Sequence, residues 1–168
     1  MNLKDYILEV KDFPKKWIYF KDISLILQKP EVLSFVIDKL SENIKSVDKI
    51  IGLDARWFIF GSLVAYKMKK PFIMLRKKWK LPWECESISY DLEYGKNVFE
   101  IQKSAIKNGD KVAIIDDLLA TWWSAKAACD LVEKLWWYVD SLHFVIELEF
   151  LNWRKIFSNQ KLFSLVKY

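Results

Sequence analysis

Glycine is scarce in this chain, with four occurrences among 168 residues, where about 7% is usual for globular proteins. Cysteine is also rare: Cys85 and Cys129 are too few for a disulfide framework and indicate a reducing, cytoplasmic compartment. No apolar run approaches the length of about 18 residues that a transmembrane helix needs. Residues 1–11 carry acids and lack the apolar stretch of a signal peptide. We therefore expect neither a disulfide scaffold nor a membrane partner.

Hydrophobic residues (52%) and charged residues (29%) are present in the proportions of a globular protein, which excludes disorder and low-complexity classes. The length predicts a single domain spanning residues 1–168, large enough to bury a full core. The net charge of +5 suits anionic partners such as phosphates, although a mild excess is also common on a solvated surface. No helix-turn-helix extension is available, so no nucleic-acid partner is expected.

Tryptophan is abundant, with nine occurrences. Glycine and tryptophan together make up a share close to that of glycine alone in an average protein. A surplus of one residue type beside a deficit of the other raises the hypothesis that some tryptophans stand at glycine positions.

Short apolar runs alternate with segments of helical periodicity along the chain. The runs at 49–53, 70–75, 111–115 and 142–148 predict buried strands, and the segments 31–43, 56–67 and 124–135 predict helices. Such alternation is typical of an α/β fold with a mainly parallel central sheet flanked by helices. Ligands of these sheets bind beyond the carboxyl ends of the strands. The polar segments that follow those ends are 54–56, 76–80 and the one that begins at Asp116.

The segment 112–124, VAIIDDLLATWWS, carries the sharpest functional signal. An apolar strand runs into two carboxylates, Asp116 and Asp117, which can hydrogen-bond vicinal sugar hydroxyls. The loop that follows opens a helix, and its backbone N–H groups and helix dipole suit a phosphate. Taken alone, the two acids could equally be an exposed pair in a strand-to-helix turn.

The wider sequence resembles the adenine phosphoribosyltransferase family of type I phosphoribosyltransferases. VAIIDDLLATWWS resembles the phosphoribosyl-diphosphate motif of the whole superfamily. More specific are DFPKKWIYFKDIS at 12–24, GLDARWFIFG at 52–61, RKKWKLP at 76–82 and SYDLEYGKNVFEIQKSAI at 89–106. The resemblance is collinear from about residue 6 to residue 168. It implies a type I phosphoribosyltransferase fold with an N-terminal hood and a flexible loop at about 77–96.

The resemblance also implies a reaction. Ribose 5-phosphate passes from 5-phosphoribosyl 1-diphosphate to N9 of adenine, giving AMP and diphosphate. Mg²⁺ is the implied cofactor, because a hard cation binds phosphate and hydroxyl oxygens with few protein ligands, with Asp116 and Asp117 as its possible contacts. A homodimer is the implied assembly.

The residues that match the family's motifs receive roles from this resemblance. Asp116 and Asp117 match the pair that binds the ribose hydroxyls. Arg56, Lys77 and Lys80 lie in segments that match the diphosphate-binding region, although the two lysines could equally belong to a solvated loop. The 5′-phosphate loop corresponds to Ala120, Thr121, Trp122, Trp123 and Ser124.

For the base, the resemblance places Tyr19, Phe20 and Lys21 in the hood over adenine, with Leu118 against the purine face. Lys21 stands where arginine is frequent. Glu93 matches a loop glutamate that hydrogen-bonds or protonates adenine N7, and Tyr94 would close the site beside it. Glu93, Arg56 and Tyr94 are thus the candidate catalytic residues.

The family pattern has glycine where this chain has tryptophan. This holds at Trp17, Trp57, Trp79, Trp83, Trp122, Trp123, at least one of Trp136 and Trp137, and usually Trp153. An indole cannot replace a residue that permits positive φ and close approach of the backbone to phosphate. Our hypothesis is that the source organism reads UGA as glycine and that these codons are rendered here as tryptophan.

Two other interpretations stay open at this point. Another purine or pyrimidine phosphoribosyltransferase shares the acidic motif but lacks the segment at 12–24. A non-catalytic regulator with the same fold, binding the sugar diphosphate and nucleic acid, is permitted by the pI near 9.0.

Overall fold

The computed structural model describes residues 1–56, 58–92, 95–105, 107–120, 122–157 and 159–168. Its strands are β1 (Leu8–Lys11), β2 (Tyr19–Asp22), β3 (Lys49–Leu53), β4 (Phe72–Lys77), β5 (Cys85–Leu92), β6 (Gly95–Gln102), β7 (Lys111–Leu119), β8 (Tyr138–Glu147) and β9 (Lys161–Lys167). Its helices are α1 (Ser24–Gln28), α2 (Pro30–Glu42), α3 (Phe58–Met68) and α4 (Trp122–Lys134), with short 3-10 turns between other elements.

In the described part of the chain, seven strands form one sheet in the order β5-β6-β4-β3-β7-β8-β9. The strands from β4 across to β9 are parallel to their neighbours, whereas β6 pairs antiparallel with both β4 and β5. The strands β1 and β2 form a separate antiparallel pair. The mainly parallel α/β architecture expected from the sequence is confirmed, and the carboxyl ends of β3, β4 and β7 lie side by side.

Helices cover both faces of the sheet, as the pattern of burial along β3 demonstrates. Ile50 and Ile51 are both fully buried, but they belong to different hydrophobic clusters because side chains alternate along a strand. The Ile50 cluster includes residues of α2 and α3, and the Ile51 cluster includes residues of α4. Full burial of each isoleucine contributes about 1.5–3 kcal/mol.

Several element bounds differ from the sequence expectation. The strand predicted at 111–115 continues to Leu119 because β8 pairs with it as far as Glu147, so Asp116 and Asp117 lie within the strand. The predicted helix at 56–67 begins at Phe58, and the helix predicted at 124–135 begins two residues earlier, at Trp122. The strand predicted at 70–75 is β4, and that at 142–148 is the longer β8.

The hairpin β5–β6 and the edge strand β9 carry no clear sequence signal. The hairpin occupies most of the segment expected to be a loop, and it extends the sheet past β4. Among the described residues, no helix is both long and apolar enough to span a membrane.

Candidate active site

The two carboxylates at the end of β7 are buried. Asp116 is 2% exposed and Asp117 is 1% exposed, which rules out the alternative of an exposed pair in a turn. Burial raises the pKa of Asp116 well above its ordinary value, and the adjacent charge of Asp117 raises it further. One Asp116 carboxylate oxygen accepts a hydrogen bond from the backbone N–H of Leu118 at 3.3 Å. A buried acidic pair of this kind needs cationic or hydroxyl partners, and a cation among the described residues lies against it.

That cation is Arg56, which follows β3 and forms an ion pair with Asp117. Its guanidinium carbon also lies 5.2 Å from the ring centroid of Phe20 in β2. Arg56 therefore joins the ends of two sheet strands to the N-terminal hairpin. This placement agrees with the sequence expectation that Arg56 and the acidic pair share one site.

A cavity of about 340 Å³ opens beside this ion pair, a size within the usual range for small-molecule sites. Four of the residues that line it were predicted from the sequence as site residues at strand ends and on β7: Arg56, Lys77, Asp117 and Leu118. Ala120 and Ser124, on either side of the α4 N-terminus, line it as well. The structure thus brings the predicted ribose, diphosphate and phosphate positions to one cavity.

Asp54 also lines the cavity; it lies in the segment 54–56 that was expected at the end of β3, although no role was assigned to it. Three other lining residues were not predicted: Tyr90, Asn97 and Phe99. Tyr90 and Asn97 are opposed in the β5–β6 register, and the rings of Tyr90 and Phe99 lie 4.7 Å apart. Burial raises the pKa of the Tyr90 hydroxyl. No sequence signal could have assigned these residues, because the register of the hairpin decides which side chains face the cavity.

The N-terminal hairpin β1–β2 forms a second cavity of about 400 Å³, which shares Arg56 with the first. It is lined mainly by apolar and aromatic groups, among them Phe13 and Phe20, whose rings meet edge to face at 5.2 Å. Asp22 also lines it, and the hydrogen bonds from the Ser24 hydroxyl and backbone lower the pKa of Asp22. A flat, apolar ring with polar edges fits such a site.

Six of the predicted residues that the structure describes lie outside both cavities: Tyr19, Lys21, Lys80, Asp116, Trp122 and Trp123. Tyr19 is 51% exposed, while Lys21 is buried, pairs with Glu9 and places its ammonium 3.6 Å from the ring centroid of Tyr168. Lys80 is exposed, and its backbone N–H donates to the Lys77 carbonyl at 3.2 Å. Asp116 lines neither cavity, although its neighbour Asp117 does.

Three indoles meet at the beginning of α4: those of Trp122 and Trp123 in the helix and that of Trp153 from a later 3-10 turn. Trp122 and Trp123 stack with ring centroids 3.8 Å apart, and Trp122 lies 6.3 Å from Trp153. The Trp153 Nε1–H donates to the carbonyl oxygen of Ala120 at 3.1 Å. Trp122 and Trp123 do not line the cavity, whereas Ser124 does. Thr121, Glu93 and Tyr94 lie outside the described residues.

No group of three His, Cys, Asp or Glu side chains within the described ranges is arranged to hold a metal ion. The hard oxygen donors near the cavity are the carboxylates of Asp54, Asp116 and Asp117. Such a donor set fits a magnesium ion that keeps most of its ligands from water and substrate oxygens, and it does not fit a closed protein cage.

No protein-family model matches the chain. A curated relative, adenine phosphoribosyltransferase of Mycoplasma mobile, is 51% identical over 167 residues, which cover 99% of this chain and 97% of the relative. The crystal structure of adenine phosphoribosyltransferase from Thermoanaerobacter pseudethanolicus is similar with a TM-score of 0.94 and 41% identity, covering 99% of this chain and 98% of the other. The enzyme from Saccharomyces cerevisiae, solved with an imino-altritol bisphosphate and adenine, has a TM-score of 0.90 and 39% identity, with 97% and 96% covered.

Proposed function

The chain belongs to the adenine phosphoribosyltransferase family, and on that premise we propose that it converts adenine and 5-phosphoribosyl 1-diphosphate to AMP and diphosphate. One observation carries the proposal from the structure: a single cavity at the carboxyl ends of β3, β4 and β7 gathers Arg56, Lys77, Asp117 and Ser124. The substrate is a sugar with three kinds of polar group. Its hydroxyls need carboxylates, its phosphate needs hydroxyl or N–H donors, and its diphosphate needs cations, all at separate points of one site.

We assign the carboxylates of Asp116 and Asp117 to the ribose hydroxyls. The argument rests on Asp117, which lines the cavity with its charge balanced by Arg56. A sugar hydroxyl that donates to Asp117 would leave the guanidinium free to turn toward diphosphate oxygens, and a guanidinium can bind two of them at once. Asp116, buried directly before it, has its ribose role from the family pattern alone.

The two ends of the phosphorylated sugar are assigned to different loops. Lys77, at the end of β4, and Lys80 in the following turn are assigned with Arg56 to the diphosphate. Ala120 to Ser124 are assigned to the 5′-phosphate, because Ser124 offers a hydroxyl to the cavity and the first turn of α4 presents unsatisfied N–H groups. Thr121, Trp122 and Trp123 complete that loop in the family pattern.

We assign adenine to the cavity under the hairpin β1–β2, against Phe20 and beside the shared Arg56. Leu118 lines the adjoining first cavity, and we assign it to the purine face that is turned toward that cavity. Tyr19 would contribute through its backbone. The ion pair of Lys21 with Glu9 supports a role for Lys21 in holding the two strands of the hood together. Glu93 and Tyr94 are assigned to the adenine edge, where a carboxylic acid that donates to N7 would act as a general acid.

We propose Mg²⁺ as the cofactor, carried with the sugar diphosphate. When bound it would neutralise charge on the leaving diphosphate, which lowers the barrier of an oxocarbenium-like transfer. The task of the chain's own residues is to orient the ribose and to hold the diphosphate through Arg56 and Lys77.

We further propose that the tryptophans at family glycine positions are UGA codons read as glycine. Support comes from the backbone: Trp17, Trp79, Trp83 and Trp136 have φ values of 73°, 66°, 70° and 62°. Their side chains are between 77% and 85% exposed, so no packing compensates for the left-handed conformation. That conformation raises the free energy of a non-glycine residue by roughly 1–2 kcal/mol.

The end of α4 gives this argument its clearest case. The N–H of Trp137 donates to the carbonyl of Val132 at 3.2 Å, and the N–H of Trp136 donates to that of Glu133 at 3.0 Å. These two bonds define a Schellman motif, in which the residue at position 136 takes the left-handed conformation and is usually glycine. The codon at this position in the gene tests the proposal directly, and UGG there would contradict it.

Cytoplasmic location and a homodimer are also part of the proposal. Cys85 and Cys129 are both free, which suits a reducing compartment. Sedimentation of the purified chain measures its assembly, and fractionation of the source cells measures its location.

The experiment for the activity is a coupled assay of the full chain with the sugar diphosphate, Mg²⁺ and each of four bases: adenine, hypoxanthine, guanine and xanthine. We expect turnover with adenine and formation of AMP. Turnover with another base in preference to adenine would favour a different phosphoribosyltransferase. Salt-sensitive binding of DNA or RNA without adenine-dependent turnover would favour a regulator.

A further inference from the structure

Asp54 occupies a position at which an acidic residue needs an explanation. It directly follows β3 and lines the same cavity as Arg56 and Lys77. Its side chain is 8% exposed. A carboxylate beside a diphosphate site repels the ligand. The cost of this repulsion indicates that Asp54 has another role in the protein.

The side chain of Asp54 contacts two residues of β4. One of its carboxylate oxygens accepts a hydrogen bond from the backbone N–H of Lys77 at 3.2 Å. The same oxygen lies 3.4 Å from Nε of Arg76. Asp54 therefore ties the loop after β3 to the last two residues of the neighbouring strand.

Arg76 extends this connection into the turn beyond β4. Its Nη1 donates to the carbonyl oxygen of Lys80 at 3.4 Å, and its guanidinium carbon lies 5.6 Å from the ring centroid of Phe58. The positive charge of Arg76 also compensates the charge of Asp54, which reduces the repulsion that a bound anion would meet.

We propose that Asp54 is a positioning residue that holds Lys77 beside Arg56, so that both cations face the diphosphate of the substrate. The inference rests on the proposed function, because it presupposes that a diphosphate enters this cavity. Asp54 does not touch the reacting atoms in this assignment. It acts through the backbone of Lys77, and it fixes the point from which the flexible lysine side chain reaches the ligand.

The test compares Asp54→Ala with Asp54→Asn in the full chain that also carries Trp122→Gly and Trp123→Gly. Loss of a hydrogen bond to a charged group corresponds to a rise of about tenfold in KM for the sugar diphosphate in the alanine variant. We expect kcat and the KM for adenine to change little. The asparagine variant keeps an oxygen that can accept from the Lys77 N–H, so it should recover most of the loss.

Asp110 offers a matched control, because it directly precedes β7 and so lies at the amino ends of the parallel strands, opposite to the site. Its side chain is 14% exposed, its carboxylate pairs with Lys49 at 2.5 Å, and it accepts from the backbone N–H of Lys107 at 3.1 Å. Asp110→Ala should lower the melting temperature and leave the KM for the sugar diphosphate unchanged. An equal rise of KM in both alanine variants would mean that any loosening of the fold has this effect, and would overturn the proposal.

A double-mutant cycle with Lys77→Ala separates positioning from general stability. If Asp54 acts by placing the Lys77 ammonium, Asp54→Ala should raise KM much less in a chain that already lacks that ammonium. Additive effects would overturn the proposal. So would an asparagine variant that is as impaired as the alanine variant and requires more Mg²⁺, because that result would assign Asp54 to the metal. AMP formation by the parent chain that carries only Trp122→Gly and Trp123→Gly tests the proposed function separately from all of these comparisons.

Discussion

Tryptophan occupies both ends of α4, and the two ends accommodate it differently. At the beginning, Trp122 and Trp123 are partly buried and stack on each other beside Trp153, with ordinary backbone angles. At the end, Trp136 is 79% exposed and takes a left-handed φ of 62°. The indoles at the first end stand in the loop that we assign to the 5′-phosphate, while the indole at the second end belongs to a residue with a strained backbone. Glycine should therefore change binding at one end and stability at the other.

The largest effect is expected from the acidic pair of β7, which lies just before the beginning of α4. Replacing both Asp116 and Asp117 by asparagine should lower kcat/KM for the sugar diphosphate by about 10²–10⁴-fold, since two hydrogen bonds to charged groups are lost. Steady-state kinetics of AMP formation measure the loss, and circular dichroism checks that the fold is kept. Undiminished turnover in a folded double variant would contradict the assignment of the acidic pair to the ribose hydroxyls.

A smaller effect is expected from Trp122 and Trp123 at the beginning of α4. Replacing Trp122 and Trp123 together by glycine should tighten binding of the sugar diphosphate by about tenfold, since a phosphate can then approach the backbone N–H groups of the first helical turn. Calorimetric titration with Mg²⁺ present measures the dissociation constants. The control is Trp136→Gly with Trp137→Gly, which should leave the affinity unchanged. Equal affinities for the parent and the Trp122/Trp123 variant would show that the indoles are accommodated without loss.

His143 lies in β8, away from both ends of α4, and it should make the stability of the protein depend on pH. Burial lowers the pKa of His143 to about 4, with the charge of Asp140 opposing the shift. Because the unfolded chain binds a proton near pH 6.5 and the folded chain does not, stability should fall by roughly 3 kcal/mol between pH 6.5 and pH 4. Above pH 6.5 this contribution is constant. Urea denaturation should show a flatter pH dependence for His143→Gln than for the parent, and parallel curves would contradict the assignment.

The smallest effect is expected at the strained end. Trp136→Gly should exceed Trp136→Ala in stability by about 1 kcal/mol, or roughly 3 °C in melting temperature, because both remove the indole but only glycine relieves the left-handed backbone. At Trp137, which is buried and lacks a positive φ, alanine should be the more stable replacement. Thermal denaturation of the four variants measures both differences. If the same replacement, glycine or alanine, were the more stable one at both positions, the proposed difference in backbone strain between Trp136 and Trp137 would be wrong.

The strand-end positions of the site could be predicted because they follow from local patterns. An apolar strand that ends in Asp116 and Asp117, and another that leads to Arg56, place their polar groups at one edge of a parallel sheet. Arg56 and Asp117 lie together in the structure, where they form an ion pair. The cavity residues Tyr90, Asn97 and Phe99 could not be predicted, because they are brought there by pairing across a hairpin whose register the sequence does not disclose.

The alternation of strands and helices, the family resemblance, and the mismatch between tryptophan and glycine can all be read from the linear sequence, because they depend on the order and type of residues. The continuation of β7 through the acidic pair cannot be read in this way, because that extension depends on parallel pairing with β8. The same holds for Lys21, which turns toward Glu9 and Tyr168 instead of lining either cavity. The role inferred for Asp54 arises in the same way, from the neighbouring ends of β3 and β4, which lie 23 positions apart in the sequence at Asp54 and Lys77. Contacts between distant segments fix these features, and a linear pattern of residues does not specify them.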